Sequence, residues 1–267
     1  MSFIGKEVTL PRVYHLDLDE DLIEGATAAL LPGDPARAER IVRTFDADAR
    51  EVASRREFTT YLGRLAGCPV IVTSTGIGGP STSIAVDELA RNGVRTFLRV
   101  GSTGAIQPGI EVGDVVITSG SVRLDGASTH YAPIEYPAVA HHEVVAALIA
   151  AASATGHTAH VGVTASSATF YPGEERTDSF SGYVLRAFQG ATEEWRQLNV
   201  LNYEMESATL LTMCAALGLR GGCVTGVVNR AGGDRIAEDD LVRGERAAIE
   251  VGVEAMRLLM TPQRPPT

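Results

Sequence analysis

A chain of 267 residues, 45% hydrophobic and 21% charged, has the balance of an ordinary globular domain rather than a disordered or repetitive one. Its net charge of -10 argues against a polynucleotide or an anionic membrane surface as partner, and no apolar run in it is long enough to span a bilayer. Cys68, Cys214 and Cys223 sit in apolar stretches at unrelated spacings, so they read as reduced packing residues of a cytoplasmic protein rather than a disulfide or zinc framework.

Residues 1–25 are polar and Pro-containing and are expected to form an N-terminal arm, with His15 between Tyr14 and Leu16. Ala26 to Leu31 reads as the first core strand. It runs into Pro32-Gly33-Asp34-Pro35, where Gly33 permits close backbone approach, Asp34 can cap, and Pro35 suits the first turn of a helix carrying Arg37. Two β stretches follow, Phe58 to Leu65 and Val70 to Ser74, joined by a turn at Ala66-Gly67 and preceded by Arg55-Arg56-Glu57. The glycine-rich stretch from Gly76 to Ser81 opens a helix to Arg91, but lacks the third glycine of a dinucleotide fingerprint.

Thr96 to Ala105 is the expected centre of the fold: Phe97, Leu98 and Val100 form a buried strand, Arg99 interrupts it, and Gly101 to Gly104 are expected to turn the chain. A cation at the carboxyl end of a core strand, beside small hydroxyl-bearing residues, suits an anion with several oxygens such as phosphate. Asp114 to Ser119 is the next strand, followed by a long polar connection through Arg123, Asp125 and His130. A helix over His142 to Ala154 leads to a strand over Ala159 to Ala165, and then to Phe170 to Arg176, whose aromatic pair and charged end suit a lid over a flat ring. In Val200 to Ser207 a short strand meets a helix, with Glu204 and Glu206 flanking Met205. Gly221 to Asn229 is the last core strand, ending in Arg230, and the final helix buries Ala248, Val251, Ala255 and Leu258. Residues 26–260 are thus expected to form a single domain of α/β class, three layers α/β/α around a central mixed sheet, with 261–267 as a frayed tail.

These residues carry a resemblance. Pro32-Gly33-Asp34-Pro35 with Arg37, the runs Arg56 to Thr60, Ser74 to Ser81, Gly104 to Gln107, Ser121 to Ser128 and Phe170 to Gly173, and Asn202 to Thr209 together make the chain similar to the first nucleoside phosphorylase family, in its uridine-cleaving branch. The resemblance covers nearly the whole chain. It implies phosphorolysis of a ribosyl bond, in which nucleoside plus inorganic phosphate gives free base plus ribose 1-phosphate, with no organic cofactor. It also implies a homohexamer, a trimer of dimers with sites shared between subunits.

Carried over by position, Gly33, Arg37, Arg99 and Ser102 would bind phosphate, with Arg56 reaching in from the neighbouring chain. Glu206, beside Glu204, would hold the ribose hydroxyls, Met205 would pack on the sugar, and the neighbour's His15 would meet the 5′-hydroxyl. Thr103, Phe170, Glu174 and Arg176 would surround the base, with Val227 and Val228 as an apolar wall. Arg37, Arg99, Arg176 and Glu206 would carry the catalysis, and Glu57, Ile77 and Ser81 match a monovalent-cation site for potassium between subunits. The chemistry needs these types: phosphate is already a nucleophile, so the protein supplies positioning and charge stabilisation.

Each residue also has a structural reading: Arg56 and Glu57 as a surface pair, Glu204 and Glu206 as a solvated helix start, Phe170 and Tyr171 as core, His15 as an idle arm residue. His141, His142, His157 and His160 lack companions at metal spacing and read as surface residues. Two departures stand out. The run Gly226 to Arg230 is one residue shorter than the family's usual form, and Glu174 stands where uridine-specific members carry glutamine. A carboxylate only accepts. Uridine should then be cleaved more slowly, unless Glu174 is protonated, or turns aside in favour of Glu175 or water, or the natural base presents an N–H beside an NH2 group, as guanine and isocytosine do. The alternatives to a uridine-type phosphorylase are a purine-directed phosphorylase or nucleosidase of the same fold, and a catalytically silent nucleoside-binding module.

Overall fold

The computed structural model describes residues 12–231 and 236–261. Val13, Leu16, Leu18 and Ile23 are buried against Phe58, Leu89 and Phe97, so the described part of the expected arm is packed into the core. Strand β1 (Ala28–Leu31) leads into α1 (Pro35–Phe45), whose first turn is closed by the Asp34 carboxylate accepting from the Ala36 N–H at 3.0 Å. The antiparallel meander β2 (Arg50–Arg55), β3 (Phe58–Leu65) and β4 (Cys68–Thr73) follows. Strand β2 was not expected, because its largely exposed, charged residues carry no apolar alternation.

Helix α2 (Gly79–Arg91) precedes β5 (Thr96–Ala105), which corrects one expectation. Gly101 to Gly104 do not turn; the strand runs through them, because β10 stays paired with it along this stretch and β9 joins on the other side at Gly104 and Ala105. Strand β6 (Val115–Leu124) likewise extends into the expected connection. The remainder of that connection is tied to Arg123, which donates to Ser128 and to the carbonyls of Ala132, Pro133 and Tyr136. The chain continues through β7 (Ala138–Val139), α3 (His142–Thr155), β8 (Ala159–Ser167), α4 (Ala191–Gln197), β9 (Asn202–Glu204), α5 (Ser207–Ala216), β10 (Arg220–Arg230) and α6 (Glu238–Met260).

The strands form one mixed sheet in the order β10-β6-β8-β9-β5-β1-β4-β3-β2, and β10 also pairs with β5. That extra pairing closes β5, β9, β8, β6 and β10 into a ring. Alternate strand residues feed two opposite cores. Leu30, Val72, Leu98 and Val100 pack with α1, α3 and α6. Ala29, Leu31, Ile71 and Phe97 pack with α2, α5 and the N-terminal segment. The three-layer arrangement expected from the sequence is therefore present. Cys214 and Cys223 are buried and free, and Cys68 is half-buried and free. Among the described residues, no helix is long and apolar enough to cross a membrane.

Helix α6 rests on β10 where both elements lack side chains. A Cβ added at Gly226 would lie 1.8 Å from the Gly244 carbonyl oxygen, a backbone atom that cannot swing aside. Gly226→Ala is therefore expected to destabilise the fold by about 1–3 kcal/mol, the range for an overpacked interior. It should appear as a lower urea midpoint, and an unchanged midpoint would show that strand and helix separate freely.

Candidate active site

A cavity of about 630 Å3 opens where β1, β5, β9 and β10 reach their carboxyl or inward ends. On one side lie Gly33 after β1, Arg37 on α1, and Arg99 and Ser102 on β5. Arg37 is 7% exposed and donates through Nη2 to Glu245 of α6, whose other oxygen accepts from Arg40 at 2.7 Å. Arg37 Nε and Arg99 Nη1 are buried without a hydrogen-bond partner among the described residues. Two guanidinium side chains lining this half of the cavity make it suited to an oxyanion.

Arg99 is shared between two acids. Its Nε donates to Glu204 Oε2 at 2.8 Å and its Nη2 forms an ion pair with Glu206 Oε2. Glu204 also accepts from the N–H groups of Glu206 and Ser207 at 2.9 Å, closing the start of α5, and Glu206 Oε1 accepts from the Gly78 N–H at the start of α2. Burial works against charge on Arg99, but Glu206 and Glu204 outweigh it and hold its pKa above the ordinary arginine value. Burial also pushes the Glu206 carboxyl above its usual range, against the opposing pull of Arg99. The glycine after Val100 makes room for this network: a Cβ at Gly101 would stand 2.7 Å from Arg99 Nη2.

The other half of the cavity is lined by Phe170, Glu174, Arg176, Met205 and Val228. Arg176 donates Nε and Nη2 to both oxygens of Asp178, at 3.0 and 2.6 Å, and its guanidinium carbon stacks 4.6 Å from the Phe170 ring centre. Thr103 also lines the cavity, but its hydroxyl donates to the Tyr203 carbonyl and accepts from Asn202 at 2.7 Å. Of the two valines expected as an apolar wall, only Val228 faces the cavity. Val227 is corrected to a core residue, packed with Ala105, Ile110 and Val116. The ladder between β10 and β5 shifts register between Val227 and Asn229, so Val228 occupies a bulge. Arg230 points away, to the Pro108 carbonyl and Glu111.

Five expected site residues lie at or beyond the rim. Glu57 and Ile77 line the cavity, Ile77 being 77% exposed. Ser81 donates to the carbonyls of Ile77 and Gly78 at 3.3 Å, and a Cβ at Gly76 would lie within 3.4 Å of both Glu57 and Ser81. Arg56 is exposed, with φ 57°, in the tight turn between β2 and β3. His15 does not reach the cavity of its own chain; its Nδ1 lies 2.7 Å from Glu88 Oε1, and the same carboxylate accepts from the His15 and Leu16 N–H groups. Burial pushes the Glu88 carboxyl up, but these donors outweigh it and hold the group below its usual range. Among the described residues, no group of three or more His, Cys, Asp or Glu side chains is arranged to hold a metal. His157 and His160, read as surface residues, are half-buried and paired with Glu250 and Asp114 at 2.6 and 2.9 Å.

The profile of the Phosphorylase superfamily matches residues 27–259. The chain belongs to this superfamily. It is 58% identical to the uridine phosphorylase of Escherichia coli K12 over 249 residues, 93% of this chain and 98% of that protein. It is 48% identical to the uridine phosphorylase of Thermococcus kodakarensis over 234 residues, 88% and 82% of the two chains. It is also 37% identical to the guanosine phosphorylase of Halorubrum lacusprofundi over 221 residues, 82% and 86%.

Sequence reasoning missed the residues that aim the named ones: Glu245 behind Arg37, Glu88 behind His15, Asp178 behind Arg176 and Asn202 behind Thr103. Glu245 had a signal. It falls three residues before Ala248 on the buried stripe of the last helix, and a carboxylate on a buried stripe requires a cation. In this phosphorylase-superfamily site, Arg99→Met keeps the bulk but leaves Glu204 and Glu206 facing each other unpaired. The expected cost is about 3–5 kcal/mol of stability, read by denaturant unfolding. Adding Glu206→Gln should recover part of that stability and none of the activity.

Proposed function

We propose that this chain is a pentosyltransferase that cleaves uridine with inorganic phosphate, giving uracil and ribose 1-phosphate. The observation that carries the reading is that the buried, carboxylate-held Arg37 and Arg99 line one cavity together with Glu206, Phe170, Met205 and Val228. The extensive identity to uridine phosphorylases supports the same chemistry. Phosphate sits against Gly33, Arg37, Arg99 and Ser102. The arginine donors align one phosphate oxygen with C1′, and a water-cleaving nucleosidase has no need of them.

Glu206 retains lone pairs beyond those given to Gly78 and Arg99, and these accept from the ribose hydroxyls. As the bond from C1′ to the base lengthens, its electron pair moves to the base, positive charge gathers on the ribose, and a phosphate oxygen bonds to C1′. Glu206 and the phosphate face that positive charge, while Arg176 faces the charge arriving on the base. Phe170 covers the ring, and Met205 packs on the sugar. Uracil release from uridine, measured with and without phosphate, tests the assignment: release that does not require phosphate identifies a nucleosidase, and no release with phosphate refutes the function.

The site is completed by a second copy. His15 and Arg56 lie outside the cavity of their own chain, on a face that also presents Tyr14 and Ile77, 63% and 77% exposed. A two-fold dimer lets each chain lend these residues to its neighbour, and three such dimers make the hexamer. Glu57, Ile77 and Ser81, clustered at the same rim, supply the oxygen ligands a potassium ion between subunits takes. Arg56→Ala and Arg37→Ala chains are each expected to lose phosphorolysis by about 2–4 kcal/mol of transition-state binding. Co-refolded in equal amounts, they should recover roughly a quarter of wild-type activity, since half of the dimers are mixed and each mixed dimer holds one intact site. No recovery in demonstrated heterodimers would refute shared sites.

A further inference from the structure

The segment Glu174-Glu175-Arg176 puts three ionisable side chains in a row, and the structure gives them three different fates. Glu175, at φ 57°, turns outward and accepts from the N–H groups of Gly190 and Thr192, the latter at 2.9 Å, at the start of α4. Arg176 is held bidentately by Asp178 and stacked on Phe170. Glu174 ends the short 3-10 turn Pro172–Glu174, is 9% exposed, lines the cavity, and makes no hydrogen bond to any described residue. Glu175 is thus occupied elsewhere, and Glu174 is the acid left to meet whatever fills the base side.

Its neighbours decide which form it takes. The charged or titratable groups facing it are Arg176 from its own segment, Glu204 and Glu206 from the junction of β9 and α5, and the Tyr203 phenol from β9. Arg176 favours an ionised Glu174, but two of its nitrogens are engaged by Asp178. Burial, reinforced by Glu204 and Glu206, outweighs Arg176 and pushes the Glu174 carboxyl up to about 8. At neutral pH the group is mainly a neutral acid, with one O–H donor and one C=O acceptor side by side.

Resting on the uridine reading above, we infer that Glu174 determines base specificity in its protonated form, its O–H donating to a carbonyl oxygen of the base while its C=O accepts the adjacent ring N–H. That pair of groups matches a –NH–C(=O)– edge such as uracil presents. An ionised carboxylate would set a lone pair against the carbonyl, and would do so more unfavourably as the departing base gains negative charge. The O–H donor strengthens its bond to the carbonyl oxygen as that charge arrives, without needing to give up its proton.

The test is kcat/KM for uridine at saturating phosphate from pH 6 to 9, for wild type and for the isosteric Glu174→Gln. Taking the ratio of the two at each pH cancels ionisation of uridine, phosphate and the rest of the site. The expected ratio is flat below pH 7 and falls about tenfold per unit above pH 8, because the variant's amide keeps its donor when the wild-type acid loses its proton. A second measurement does not depend on turnover. Calorimetric binding of uridine to wild type at pH 8.5, in two buffers of different ionisation heat, should show a net proton uptake larger than that of Glu174→Gln, which takes up only the protons of the ionised fraction of free uridine. If the variant does not fold, wild-type uptake beyond that ionised fraction decides, and its absence overturns the inference. A ratio independent of pH also overturns it while leaving the function standing. A ratio that rises with pH on guanosine would overturn it in favour of a carboxylate accepting an N–H and an NH2 group together. Failure of both proteins to release uracil at any pH refutes the function itself, and the inference with it.

Discussion

Arg99 is withdrawn from water near the middle of the central strand, and a guanidinium there is tolerable only because Glu204 and Glu206 take two of its faces. The acids are not free to move. Glu204 also closes the first turn of α5 through the Glu206 and Ser207 N–H groups, and Glu206 accepts from Gly78 at the beginning of α2. One ion-pair network therefore ties a strand end to the beginnings of two helices. Its remaining nitrogen, Arg99 Nη1, is buried without a hydrogen-bond partner among the described residues.

The same economy of partners recurs around the cavity. Glu245 orients Arg37, Asp178 orients Arg176, Glu88 orients His15 and Asn202 orients Thr103. A long charged side chain loses considerable rotamer entropy when it is held in one pose, and a fixed counterpart on a rigid element spends that entropy during folding rather than at substrate binding. Arg37 and Arg99 also show what these partners leave open, since each keeps one buried nitrogen without a hydrogen-bond partner among the described residues.

The two ends of the cavity differ in electrostatic character. Arginines supported by carboxylates dominate the anion end. Near Phe170 an acid with no hydrogen-bond partner among the described residues, Glu174, resists ionisation because it is buried and stands near Glu204 and Glu206, despite the proximity of Arg176. A cavity that combines buried arginines with an aromatic side chain and a largely unionised acid has both charged and uncharged surface to offer a ligand.

What the sequence determined by itself is substantial: the alternation of strands and helices, the Asp34 cap, the buried stripe of the last helix, and the motifs that place the chain in a superfamily. These are local matters of period, turn chemistry and residue identity, and they are legible because they act over a few neighbouring positions. Strand β2 was illegible, since its pairing with β3 rather than any apolar pattern makes it a strand. The straight passage of β5 through Gly101 to Gly104 was hidden for the same reason, because only neighbours distant in sequence, Thr225 to Arg230 and Asn202 to Tyr203, satisfy its backbone. Two adjacent valines were equivalent in sequence, and a bulge sent Val228 to the cavity and Val227 to the core. Glu174 is the sharpest case. Its residue type is written in the chain, but whether it is an acid or a carboxylate depends on burial and on Glu204 and Glu206, about thirty positions away, which only the folded chain brings beside it.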